Sequence, residues 1–108
     1  MKFKKLNDYT GYIDEDEAKK YNMKILKVKN NWVTGTVKGL KFQAQVFNKP
    51  STHGLYKGRI SRLLIIRKGC SHWGDTIYHY EKGLGNKPTK EGIRLSRQFL
   101  KIFPRGVS

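Results

Sequence analysis

The sequence predicts a single α+β domain over residues 1–108, with residues 1–12 as a mobile lead-in. An antiparallel sheet of about five strands carries a C-terminal amphipathic helix on one face, with a short N-terminal helix beside it. Three observations support this. Leu63 to Ile66 is the only run of four consecutive large aliphatic residues in the 108, and Gly58 and Gly69 bracket it. Such a run reads as a strand buried on both faces. Trp32–Val37 and Leu40–Phe47 are β-rich arms joined by Lys38-Gly39, a tight-turn pair. Residues 89–103 change to a helical period, with Ile93, Leu95, Ser96, Phe99, Leu100, Ile102 and Phe103 on one side.

In chain order, the lead-in carries lysines with Tyr9 and Tyr12. Asp14 to Tyr21 reads as one or two helical turns, acids first and Lys19-Lys20 last, the order that suits the helix dipole. An acidic flap that competes for a basic face is the alternative for Asp14-Glu15-Asp16-Glu17. Met23–Lys29 reads as a strand followed by an Asn30-Asn31 turn. In the second hairpin arm Leu40, Phe42, Ala44 and Val46 alternate with Lys41, Gln43 and Gln45, the pattern of a half-buried strand. Trp32 and Phe42 read as core. Asn48 to Gly58 is loop chemistry holding His53, Tyr56 and Lys57, and long loops often carry function.

The aliphatic strand comes next, with Arg59 and Arg62 before its apolar run and Arg67 and Lys68 after, so that it carries charge to both edges of the sheet. A turn over Gly69–Gly74 contains Cys70, His72 and Trp73. Thr76–Glu81 is a further strand with Ile77 on one side and Tyr78 and Tyr80 on the other, and Lys82–Lys87 is a glycine-bearing turn. Thr89 is placed to cap the last helix, with Glu91 in its first turn, and Pro104 and Gly106 stop it. At about 100° per residue, Lys90, Arg94, Arg97, Lys101 and Arg105 fall within about 80° on its outer side.

Charge is the strongest functional signal. Lys plus Arg is 23 against 8 acids, for a net +15, and after the acidic run only Asp75, Glu81 and Glu91 oppose the cations. A folded domain so charged repels itself, and a polyanion relieves that repulsion. Nucleic acid, DNA or RNA, is the partner this predicts. Arg59, Arg62, Arg67, Lys68, Lys90, Arg94, Arg97 and Lys101 are the candidate phosphate contacts, with Tyr56 and Trp73 as candidate stacking groups. A sheet face with exposed aromatics among lysines would also suit unpaired bases.

Other chemistry is weakly encoded. No apolar stretch approaches the length of a membrane span, and Phe3–Leu6 is not a signal core. Cys70 is the one cysteine, which excludes an intrachain disulfide and suits a reducing compartment. Cys70 and His72 with His53 or His79 lack the paired spacing of a metal site, and no cofactor motif is present. The protein is not expected to be an enzyme. One alternative is a small ribonuclease using His53, His72 or His79 as base, with Arg59 as charge-stabilising group and a tyrosine beside it.

Trp-x-x-Gly-x-Val-x-Gly at 32–39, Phe42–Phe47, Pro-Ser-x-x-Gly-x-x-x-Gly-Arg-Ile-Ser at 50–61 and Tyr-x-Tyr-x-x-Gly at 78–83 form a recurring order. Together they resemble a family of small uncharacterised proteins of phages and mobile elements in low-GC Gram-positive bacteria, over about residues 32–103. The resemblance implies an element-encoded accessory protein in the cytoplasm of a bacterial host and carries over no catalytic residue. An inhibitor of a host defence system, acting on a nuclease complex or an anionic nucleotide signal, is the function it adds. The heavy lysine load is this chain's departure from that pattern.

Overall fold

A computed structural model describes residues 2–67, 76–81 and 89–104. A hairpin of β1 (Phe3–Asn7) and β2 (Gly11–Asp14) leads into α1 (Glu15–Lys20). Strands β3 (Met23–Lys29), β4 (Trp32–Val37), β5 (Leu40–Val46), β6 (Ile60–Ile66) and β7 (Thr76–Glu81) follow, and α2 (Lys90–Ile102) closes the chain. The five strands β3 to β7 form one antiparallel sheet in sequence order. This is the predicted α+β class.

The β4–β5 turn shows how local chemistry sets register. Lys38 and Gly39 have φ of 51° and 80°, both left-handed. Two such residues give the type I′ turn that matches the twist of the flanking strands, and it pairs Val37 with Leu40.

Alternation then sorts the sheet into two unlike faces. Met23, Val33, Val37, Phe42, Ala44, Leu63, Ile65 and Tyr78 are buried on the first. Against it α2 lays Leu95, Phe99 and Ile102, followed by Phe103, all buried. Phe99 meets Phe42 edge-on with centroids 5.0 Å apart. Burying each such side chain contributes roughly 1.5–3 kcal/mol. Thr89 caps α2 by accepting from Gly92 N at 2.9 Å, and its hydroxyl donates to Ile77 O on β7 at 2.9 Å.

The second face reads in three rows from β3 to β7. They are Lys24-Thr36-Lys41-Ile66-Thr76, Lys27-Thr34-Gln43-Leu64-His79 and Lys29-Trp32-Gln45-Arg62-Glu81. No helix or strand lies over this face among the described residues, since α1 and α2 both pack on the other side.

Four expectations change. The aliphatic strand β6 is not buried on both faces: Leu63 and Ile65 are fully buried, whereas Leu64 and Ile66 are half-exposed on the open face. Trp32 lies on that face too and is only half-buried, so it is not core. Ile77 does not oppose Tyr78, because a bulge in β7 leaves both buried. From Phe3 onward the lead-in forms the β1–β2 hairpin. Asn7 Oδ1 accepts from Thr10 N across its turn, Thr10 and Asn7 donate to Asn30 O, and Glu15 N donates to Lys2 O. Of these anchors Asn30 lies 20 residues beyond Thr10 and 23 beyond Asn7.

Arg59 requires the largest revision. The predicted phosphate contact is 1% exposed. Its Nε donates to Phe47 O at 3.0 Å, one terminal nitrogen to Pro104 O at 3.0 Å, and the other to Thr10 O. Burial pushes its pKa down, yet arginine stays charged. One guanidinium thus ties the N-terminal hairpin, the chain after β5 and the end of α2 together. It cannot reach a phosphate or stabilise charge in a ribonuclease site.

Candidate nucleic-acid interface

The outer side of α2 presents Lys90, Arg94, Arg97 and Lys101, all exposed. At 1.5 Å per residue the row runs about 16 Å, the axial length of about five phosphates of one DNA strand. Two further elements extend it. Tyr21, at the C-terminal end of α1, has the Nζ of Lys20, Lys38 and Lys101 at 5.6, 5.8 and 6.0 Å from its ring centre. Lys101 also donates to the Tyr21 hydroxyl at 3.3 Å. The ring draws Lys20 and Lys38 and the hydroxyl draws Lys101, so one side chain gathers three ammonium groups that would otherwise repel one another. Between Tyr21 and α2 a groove of about 360 Å³ is lined by Ile93 and Gln98 as well as the cations.

No ion pair engages a cation of α2 among the described residues. Their ion pairs are Lys2–Glu15, Lys5–Asp8, Arg62–Glu81 and His79–Glu81. Asp14 is buried at the start of α1, where its carboxylate accepts from Asp16 N at 3.0 Å and Glu17 N at 3.2 Å. The acidic run therefore serves its own helix N-terminus.

The other sequence-predicted residues are not gathered here. Arg62 lies on the open sheet face, 3.1 Å from Glu81 and with its guanidinium 5.9 Å from the centre of the Trp32 ring. Arg67 is exposed just past β6. Tyr56 is 45% exposed in the loop before β6, with its hydroxyl 3.2 Å from Ser96 Oγ and a left-handed φ of 52°. Lys68, Trp73, Cys70, His72 and Arg105 fall outside the described residues. Among the described residues no three His, Cys, Asp or Glu side chains cluster as metal ligands, and no helix is long and apolar enough to cross a membrane.

Sequence reasoning missed Tyr21, Lys20 and Lys38. Lys19-Lys20 was legible as the basic end of α1, but nothing local connects it with a turn 18 residues later or a helix 80 residues later. Packing of α1 beside α2 makes that connection.

A family model described as "Domain of unknown function (DUF7678)" matches residues 31–102. No curated protein and no solved structure matches the chain.

Proposed function

Since the chain belongs to the DUF7678 family, a domain of unknown function, its own surface is what speaks to its role, and we propose that it binds nucleic acid through the phosphate backbone. The observation that carries this reading is the row Lys90, Arg94, Arg97 and Lys101, continued by Lys20 and Lys38 around Tyr21, with no acid paired to it among the described residues. Each phosphate that these cations neutralise releases a counterion. Such contacts hold a backbone and do not read bases, so sequence preference is weak. The role is binding, without catalysis. With the mobile-element resemblance, we place the protein as an accessory factor in the cytoplasm of a bacterial host.

The test is a salt titration of affinity for labelled DNA duplex, single strand and RNA. Six cations in contact predict a log–log slope of about −5, from about −0.9 per phosphate on duplex. Arg94→Ala/Arg97→Ala/Lys101→Ala should make it shallower by about 2.7 on the same basis. Weak binding at physiological salt by a folded protein would overturn the proposal. Capture of an acidic host protein from nuclease-treated extract would then assign the stripe to defence inhibition.

A further inference from the structure

The open sheet face is an extended surface that the α2 stripe does not use. Its three rows carry Lys24, Lys27 and Lys29 along β3, Lys41 on β5 and Arg62 on β6, against a single acid, Glu81, among the described residues. Its centre is of a different nature. Leu64 and Ile66 are half-exposed, and Thr34, Thr36 and the exposed amide of Gln43 surround them. A groove of about 540 Å³ runs across Thr34, Gln43, Leu64 and Ile66 between Lys24 and Lys41. At one end Trp32 lies under the Arg62 guanidinium, which Glu81 holds in place.

We propose that this face binds single-stranded nucleic acid, taking unpaired bases on Trp32, Leu64 and Ile66 while Lys24 and Lys41 hold the flanking phosphates. The inference rests on the nucleic-acid reading of the chain and adds a second, separate surface with a different preference.

Charge selects the occupant. Among the described residues a second copy would set five cations against five, each copy offering only Glu81 in exchange, so self-association is opposed. A polyanion is favoured. Among polyanions, a duplex keeps its bases stacked inside and offers a sheet only phosphate, which leaves the apolar centre uncovered. A single strand offers both. Aromatic rings and arginine planes stack bases of any kind, apolar side chains accept base faces, and amides and hydroxyls meet base edges. The α2 stripe has the opposite character, a row of cations with little apolar surface. It looks away from the sheet, so the two faces can hold two different strands at once.

The experiment compares wild type, Lys24→Gln/Lys41→Gln and Arg94→Ala/Arg97→Ala/Lys101→Ala on oligothymidylate and on a duplex of equal length. Lys24 and Lys41 are exposed, so the double variant should keep its fold, which circular dichroism checks. The expected result is a loss of about tenfold or more on the single strand and under about threefold on the duplex. Trp32 supplies an independent readout. Oligothymidylate should quench a fluorescence component that is missing in Trp32→Phe, and the α2 triple variant should retain that quenching at low salt.

Equal losses on both ligands, or no quenching of Trp32, would overturn the inference and leave the α2 reading intact. Binding of neither ligand by wild type would remove both. A dimer in sedimentation that Leu64→Lys dissociates would assign the face to a second copy and overturn the inference as well.

Discussion

Replacing Arg59 by alanine separates a residue that builds this protein from residues that bind through it. The change removes the donor from three carbonyls, Thr10 O, Phe47 O and Pro104 O, in three segments brought together only by folding. A hydrogen bond to a charged group is worth about 1.5–3 kcal/mol, and a buried acceptor left without a donor costs about 1–3 kcal/mol. The simple sum is an overestimate, because wild type already bears the cost of desolvating a guanidinium, and water can enter the vacated space to satisfy part of the loss. A net loss of about 3–5 kcal/mol is expected, a large share of the 5–15 kcal/mol that holds a domain. At about 4 °C or more per kcal/mol, Tm should fall by about 12 °C or more.

Arg59→Lys should recover little of this, because a compact ammonium cannot span three carbonyls that a planar fork reaches. Thermal and urea unfolding by circular dichroism measure the loss. Nucleic-acid affinity should be taken well below the lowered Tm, where the salt slope should equal that of wild type. A variant of unchanged Tm with reduced affinity would refute the reasoning and restore Arg59 to the binding surface.

Two further predictions concern the α2–β7 contact. A Cβ on Gly92 would stand 2.3 Å from Ile77 O and 2.9 Å from Tyr78 Cβ, so Gly92→Ala must move α2 off the strand. A loss of roughly 1–3 kcal/mol is expected in urea unfolding, against a gain of about 1 kcal/mol if helix propensity alone decided. Tyr78 is 3% exposed, and burial pushes its phenol above its ordinary range, with the bond to Ser96 opposing. A raised folded pKa means that the unfolded chain ionises first. The associated stability is therefore complete below about pH 10 and is lost as pH rises through the folded value. Tyr78→Phe should show a shallower fall of Tm than wild type above about pH 10 in an alkaline series.

The sequence by itself determined the elements and the charge. Period-two alternation in Leu40–Val46, a tight turn at Lys38-Gly39, the Thr89 cap and the divided wheel of α2 are local facts. Each survives in the structure because propensity, capping and burial agree there. The stripe Lys90, Arg94, Arg97 and Lys101 was legible for the same reason, since one helix positions it.

What crosses between elements was decided only in three dimensions. An arginine beside an apolar strand looks identical in sequence whether it faces water or three carbonyls, and the fold put Arg59 inside. Leu64 and Ile66 look like core until the sheet is seen to carry its helices on one side only. The lead-in became a hairpin because Asn30, Arg59 and Thr10 meet there. Lys20, Lys38 and Lys101 were drawn to one tyrosine by packing. Local pattern is set by neighbours three or four residues apart. A surface is set by which distant segments a shared core brings side by side, and that information is not carried by any one stretch of the chain.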